Sequence, residues 1–391
     1  MILAHKIRLS PNNKQRTYFS KAAGTARFAY NWALARWNEL YETGRKTTEG
    51  ELRKELNAIK REQFPWMLEV TKCAPQQAIK NLGKAFSNFF SGAAERPTFR
   101  KKGAKDSFAV SNDQFALDGA RIRIPNLGWV EMTEALRFDG KVLGAVVSRK
   151  ADHWFVSVQV EMPDPMPMHE THSENQAVGV DLGVRDLATL SDGTKAPGAK
   201  PHKALLSRLR RQGKSLSRKQ GARKGERKSA NFAKAKRKLA RLHARIADIR
   251  SDEAHKLTTF LTRNYSIIGI EDLNVSGMAK NRKLARSVLD ASFFEFRRQL
   301  EYKAKITGSK LVVADMFFPS SKLCSCCGFK LEKLDLSARE WRCPDCRALH
   351  DRDVNAAVNL KNNAVSYTVS ACGDFLETIS SAKQELSTKT K

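Results

Sequence analysis

Apolar residues recur at steps of three and four between Lys14 and Tyr41, at Phe19, Ala23, Ala26, Tyr30, Leu34 and Trp37, the spacing of one helix face. Leu82, Phe86, Phe89 and Phe90 repeat the pattern, and core packing accounts for these aromatics. Ahead of the first helix, Ile2 to Leu9 alternates loosely and stops at Pro11, which predicts a short strand. Between about residues 95 and 162 the period shortens. Runs such as Ala120-Arg121-Ile122-Arg123-Ile124-Pro125 and Trp154-Phe155-Val156-Ser157-Val158-Gln159-Val160 lie between Gly, Asp and Pro turn signals and read as strands of a small barrel or sheet.

Pro163-Asp164-Pro165-Met166-Pro167 predicts an extended linker and a domain boundary, because stacked X-Pro steps disfavour helix. After it, Ala177-Val178-Gly179-Val180-Asp181-Leu182-Gly183 is an apolar strand carrying one carboxylate, followed by a second strand near Asp186 to Ser191 and a turn at Asp192-Gly193. Leu239, Leu242, Ile246, Ile249, Leu257 and Phe260 mark one face of a long helix. Ser266 to Leu273 reads as a buried strand ending on Glu271 and Asp272. A helix from about Ala291 to Thr307, a strand at Leu311 to Ala314 and a last helix opening at His350 to Ala357 complete the α/β pattern. The end of the chain, from about Ser366, is polar and frays. No repeat of fixed period is present.

A length of 391 residues exceeds what one core usually serves, so two or three folded units are expected. The 41% hydrophobic content is that of a globular protein and excludes bulk disorder. Charge changes the picture. Seventy Lys and Arg stand against 41 Asp and Glu, a net +29. From Pro201 to Arg250 alone there are eighteen Lys or Arg and two acids, an excess of +16 on one helical stretch. Such a run repels itself unless a polyanion is present. No stretch approaches 18 consecutive apolar residues, the N-terminus has no secretory pattern, and no lipidation signal accompanies a basic amphipathic helix. Nucleic acid is therefore the expected polyanion, with no membrane partner, in a soluble intracellular protein.

Five of the seven cysteines fall between positions 324 and 346, which is no disulfide framework. Cys324-x-x-Cys327, fifteen residues, then Cys343-x-x-Cys346 is the spacing of a four-sulfur metal site, with zinc the expected ion. Four thiolates leave no open position for water, so the site is structural. Cys326 is a competing ligand by position only, while Cys73 and Cys372 are spectators. Three carboxylates stand out as well. Asp181 lies in an apolar strand, Glu271 at the end of another, and Asp353 at the start of a helix after a third, where it could also serve as the helix N-cap. Burying carboxylates at strand ends is costly unless they share a cation. Mg²⁺ suits oxygen ligands. Two such ions about 4 Å apart support phosphodiester hydrolysis.

Gly179-Val180-Asp181-Leu182-Gly183-Val184-Arg185-Asp186, Gly269-Ile270-Glu271-Asp272-Leu273, Phe318-Pro319-Ser320-Ser321-Lys322-Leu323-Cys324 and His350-Asp351-Arg352-Asp353-Val354-Asn355-Ala356-Ala357 resemble the TnpB (OrfB) family of insertion sequences, which is similar to the compact type V CRISPR effectors. Arg27-Phe28-Ala29-Tyr30-Asn31, Pro97-Thr98-Phe99-Arg100-Lys101 and Leu127-Gly128-Trp129 extend the resemblance into the N-terminal half. It implies a multidomain α/β plus β-barrel fold. A wedge barrel would take residues 1–12 and 95–165, with a helical recognition insert at 13–94. An RNase H-like RuvC domain would take 172–320 and 350–365, carrying a basic helical insert at 201–262 and interrupted by a zinc ribbon at 321–349, before a flexible tail at 366–391.

The resemblance also implies an activity, that of an RNA-guided endonuclease cutting double-stranded DNA beside a short transposon-associated motif. Asp181, Glu271 and Asp353 would be its Mg²⁺-binding catalytic acids, with Asp351 the rival for the third place, and Cys324, Cys327, Cys343 and Cys346 its zinc ligands. Its partners would be a guide RNA from the transposon end and the target DNA, with no obligate protein partner, in the prokaryotic cytosol or nucleoid. Gln76, Ser111 and Asn112 fall where the family contacts the flanking motif. Phosphate contacts are expected from Arg100, Lys101 and Lys102, and from Arg208, Arg210, Arg211, Lys234, Arg237, Lys238 and Arg241, since a heteroduplex is held through its backbone. Two rivals remain open on the residues: a transposase with an RNase H-like triad, and a nuclease-silent RNA-guided repressor.

Overall fold

A computed structural model describes residues 1–162, 176–220, 229–335 and 337–368. The proline-rich stretch at 163–167 and all but the start of the 366–391 tail lie outside them. The chain divides into two units, Met1–Asp164 and Pro165–Lys391.

In the first unit, strand β1 (Ile2–Leu9) precedes three helices, α1 (Asn13–Glu42), α2 (Glu49–Gln63) and α3 (Cys73–Phe90). Capping boxes start the first two. Asn12 Oδ1 accepts from Gln15 N at 2.9 Å while Gln15 Oε1 accepts from Asn12 N at 2.9 Å, and Thr48 and Glu51 repeat the exchange. Six strands follow: β2 (Ser107–Ser111), β3 (Ala116–Asp118), β4 (Arg121–Ile124), β5 (Gly128–Glu131), β6 (Lys141–Lys150) and β7 (His153–Glu161). They form an antiparallel sheet in the order β1-β7-β6-β2 and a second one in the order β3-β4-β5. Among the described residues these sheets do not close into a barrel. One isolated bridge, Leu9 to Met132, joins them. β1 runs out at Pro11, which has no N–H to donate, and Asn12 then starts α1. Phe19 of α1 packs on the larger sheet, its ring 5.2 Å from Trp154 and 6.0 Å from Phe108.

The second unit is built on a five-stranded sheet in the order β10-β9-β8-β11-β12. β8 (Ala177–Asp181), β11 (Ile267–Glu271) and β12 (Lys310–Ala314) run parallel, β9 (Asp186–Leu190) runs antiparallel to β8, and β10 (Lys195–Pro197) turns back again against β9. Between β10 and β11 come α4 (Pro201–Arg218) and α5 (Ala230–Asn264), and between β11 and β12 come α6 (Val275–Lys280), α7 (Ala285–Ala291) and α8 (Phe293–Thr307). Two short strands, β13 (Glu340–Arg342) and β14 (Leu349–Asp351), pair in the cysteine-rich segment, and a last helix, α9, spans residues 352–368.

Alternation along the strands assigns the two faces. Val178, Val180, Ile268 and Ile270 bury against Leu261, Phe296 and Leu300 of α5 and α8. Gly179 and Gly269, partners in register, point the other way and meet α9. A Cβ on Gly179 would lie 1.8 Å from Ala357 O, and one on Gly269 would lie 2.4 Å from Leu360 O. α9 therefore rests on bare backbone, and any side chain there would push it off.

Candidate functional site

The parallel register brings the carboxylates together. Asp181 ends β8 and Glu271 ends the adjacent β11, one step beyond the paired Val180 and Ile270. The close seat of α9 brings Asp353, in its first turn, to the same edge. Burial first, then the charges of Glu271, Asp353 and Asp351, push the Asp181 carboxyl up to about 8, with Arg352 opposing. Burial also raises Glu271, opposed by a hydrogen bond from the Ser320 hydroxyl and by Arg352. Among the described residues, the oxygens of Asp181, Glu271 and Asp353 do not all come within 4.8 Å of one another. Glu271 and Asp353 act on Asp181 through their charges, and the three do not form a closed cluster.

The doublet at the start of α9 divides its work. Asp351, not Asp353, caps the helix: its Oδ1 accepts from Asp353 N at 3.0 Å and Val354 N at 3.1 Å. Its other oxygen accepts from Lys195 Nζ at 2.6 Å. Burial works against ionisation of Asp351, but Lys195 and the capping N–H groups hold its carboxyl below the ordinary value. Among the described residues Asp353 makes one long ion pair, to Arg339 at 3.8 Å, and its charge acts on Asp181.

The sulfur cluster is closed. The Sγ atoms of Cys324, Cys327, Cys343 and Cys346 all lie within 4.8 Å of one another, with Cys324 to Cys346 and Cys327 to Cys343 both at 3.6 Å. A tetrahedron with Zn–S of about 2.3 Å has edges of about 3.8 Å, so the four thiols fit a structural zinc ion. Two like turns hold them. Cys324 O accepts from Gly328 N at 2.9 Å, and Cys343 O from Arg347 N at 3.0 Å, with φ of 79° at Gly328 and 61° at Arg347. Burial opposes ionisation of Cys324, but the N–H groups of Cys327 and Cys326 and the His350 ring bring its thiol down to about 6. Cys326 is exposed and forms only a three-member group with Cys324 and His350.

This chain is similar over nearly its full length to curated relatives. It is 39% identical over 384 residues to a "Putative RNA-guided DNA endonuclease" of Streptomyces pristinaespiralis, covering 95% of this chain and 91% of that protein. It is 35% identical over 403 residues to the "Putative RNA-guided DNA endonuclease InsQ" of Escherichia coli (strain K12), covering 98% and 96%. The chain belongs to the TnpB (OrfB) family. Family models match residues 157–282 ("Probable transposase"), 293–360 ("Cas12f1-like, TNB domain") and 1–46 ("Helix-turn-helix domain"). The last of these segments folds here as β1 and the single long α1. A solved Cas12f1–sgRNA–target DNA complex shares the fold, with a TM-score of 0.56 at 13% identity over 90% of this chain and 83% of that one.

Two kinds of residue in this TnpB chain escaped notice in the sequence. The first is positional. Asn355 and Asn359, both buried on α9, donate to Leu323 O at 2.7 and 2.6 Å, Asn359 also donates to Ser320 O at 2.8 Å, and Asn355 Oδ1 accepts from Ser325 N at 3.0 Å. They fasten the helix carrying Asp353 to the loop that runs from Ser320 into the first cysteine pair. The second is the Gly179 and Gly269 pair, and a glycine inside an apolar strand was the available signal.

The expected phosphate-binding residues fall in two settings. Arg208, Arg210 and Arg211 on α4, and Lys234, Arg237, Lys238 and Arg241 on α5, are exposed, while Leu205, Leu209, Leu239, Leu242 and Ile246 pack the two helices together. Phe260 of the expected apolar face is 47% exposed. In the first unit, Gln76 lies on α3 where it meets the end of β2 at Ser111 and Asn112, and the contact with Ser111 is made by the neighbouring Gln77 at 2.9 Å. Lys101 and Lys102 are exposed. Arg100 is spent locally, its guanidinium 3.6 Å from the Tyr30 ring centroid and its backbone held on both sides by Asn31. Among the described residues no helix is long and apolar enough to cross a membrane.

Proposed function

We propose that this protein is an RNA-guided DNA endonuclease of the RuvC type, with Asp181, Glu271 and Asp353 as its catalytic acids, cutting double-stranded DNA beside a short flanking motif. One observation carries the reading: three carboxylates from separate stretches of the chain meet at one sheet edge, where their burial and mutual repulsion hold Asp181 near pKa 8. The oxygen-only donor set and the excess negative charge suit Mg²⁺. Two such ions, when bound, would polarise the scissile phosphate and stabilise the attacking and leaving oxygens. The protein's own contribution is to keep the acids apart and aimed. Ser320 orients Glu271, Asp351 fixes the first turn of α9 so that Asp353 faces inward, and Asn355 and Asn359 anchor that helix.

The N-terminal sheets and helices then form the wedge and recognition parts, the cysteine segment a zinc ribbon, and the five-stranded sheet an RNase H-like core. Exposed cations on α4 and α5 hold the phosphates of a guide RNA from the transposon end and of its heteroduplex, while base pairing supplies sequence recognition. The test uses the protein copurified with RNA expressed from its own locus. The wild-type complex should cut guide-matched DNA with Mg²⁺, and Asp181→Ala, Glu271→Ala and Asp353→Ala should each lower cutting by at least about 10³-fold with RNA binding unchanged. Strand joining without RNA, or cutting that survives all three substitutions, would contradict the proposal.

A further inference from the structure

Beside Glu271 lies a cavity of about 470 Å³ that the three acids do not fill. Its walls are largely apolar, from Leu182, Leu273, Phe293 and Phe294, and its charged groups besides Glu271 are Arg297, Arg298 and Glu301. Phe293 and Phe294 open α8 with opposite fates: Phe293 is buried, whereas Phe294 is 71% exposed. A second aromatic projects close by in the chain. Phe317 is 86% exposed in a turn whose two ends both engage Glu271, through Ala314 in register with it on β12 and through the Ser320 hydroxyl on its carboxylate. These are the two most exposed aromatic residues of the described chain, and both belong to segments that adjoin one carboxylate.

The arginines tell what kind of group the cavity accepts. Arg297 is paired with Asp272 and with Glu301 at 3.1 Å, and Arg298 with Glu295 at 2.7 Å. Both positive charges are thus answered by the protein, and the cavity does not select an anion such as a second phosphate. Apolar walls, an exposed ring on an ordered helix and pinned planar guanidinium groups suit a flat, uncharged aromatic group.

We propose that this cavity takes up an unstacked nucleobase next to the bond being cut, with Phe294 as its stacking face. The proposal rests on the nuclease reading of the three acids and adds a positioning site to it. A phosphodiester brought to Glu271 has its flanking base beside the cavity, because Glu271 is itself part of the lining. A stacked base fixes the angle at which that phosphate meets the carboxylates, which is how a contact outside the chemistry speeds it.

The experiment uses the full RNA complex with Mg²⁺ and a guide-matched target in which single abasic nucleotides are stepped through the positions around the cut. DNA binding is measured on the same samples. Wild type should cut about ten-fold more slowly when the abasic position coincides with the stacked base. Phe294→Ala should cut the intact target about ten-fold more slowly, show no further loss at that position, and bind target as wild type does, while Phe294→Trp should restore both the rate and the abasic sensitivity. Equal rates for wild type and Phe294→Ala, or an unchanged abasic profile in the variant, would overturn the site while leaving the nuclease assignment intact. So would a Phe294→Ala defect that appears only as a change in sedimentation, since the face would then bind a second copy of the chain. A wild-type complex that fails to cut any matched target would overturn both the nuclease reading and the base site that rests on it.

Discussion

Asp181 carries the sharpest consequence at the scale of one residue. Without a cation its carboxyl titrates near 8 in the fold, against 3.8 as the ordinary value, so the folded chain keeps a proton that the unfolded chain releases. The contribution to stability is full below about pH 4 and is lost as pH rises through about 8. Asp181→Asn removes this dependence. In EDTA the variant should melt above wild type at pH 8.5, by on the order of 1–3 kcal/mol after allowing for solvent access, and the two should converge near pH 4 in thermal scans. By the same linkage the proposed Mg²⁺ would have to displace the proton. Titration calorimetry near pH 7 in two buffers of different ionisation enthalpy should register its release, and apparent affinity should rise with pH up to about 8. The Asp351 and Asp353 pair separates cleanly. Asp351→Ala loses a cap and should cost about 1 kcal/mol, with cutting weakened by less than about ten-fold because Asp353 keeps its carboxylate, whereas Asp353→Ala should abolish cutting at little cost in stability. Sequence spacing left these two roles interchangeable, because two acids separated by one residue both fit a helix start; the first helical residue, Arg352, decides between them.

Elements were legible wherever the apolar period was local. The strands bearing Asp181 and Glu271, the helix rising from Ala291, and the two cysteine pairs all read directly from spacing, since each depends on residues within a few turns of one another. What did not read was long-range. The two N-terminal sheets are joined by the Leu9–Met132 bridge and share one hydrophobic core, a relation between residues far apart in the chain that no periodicity encodes. Nor does periodicity reveal that Gly179 and Gly269 are partners, because each is an ordinary interruption of its own strand and acquires meaning only in register with the other. That pairing sets the depth at which α9 seats and therefore where Asp353 arrives. Gly269→Ala places a methyl 2.4 Å from Leu360 O, a backbone atom that cannot step aside alone. It should lower stability by about 2–3 kcal/mol through overpacking and reduce cutting by at least about 100-fold, both measured against Gly213→Ala, a change within α4 where an added methyl meets nothing within 4 Å. Cutting at the wild-type rate in Gly269→Ala would show that α9 does not position the third acid.

At the scale of the whole molecule the charge is divided unevenly. Of the net +29, residues 1–164 carry +10 and residues 165–391 carry +19, with +16 of the latter lying between 201 and 250. Concentrating cations on α4 and α5 has a structural condition: the helices must stay folded while their outer faces repel. Their shared contacts among Leu205, Leu209, Leu239, Leu242 and Ile246 supply a small core of their own, separate from the sheet that holds the acids. On the proposed function, binding and chemistry would rest on different cores and should be separable. Each phosphate neutralised releases counterions, giving a slope of log K against log salt of about −0.7 to −0.9 per contact. Replacing Arg208, Arg210 and Arg211 together by Gln should flatten the slope for RNA binding by about 2 while leaving the melting of the sheet within about 1 kcal/mol, because all three side chains are exposed. Asp181→Ala should leave that slope unchanged and remove cutting. If the triple variant kept the wild-type slope, the polyanion would have to be held by the other cations of the chain, and these three arginines would belong to a solvated face with no ligand.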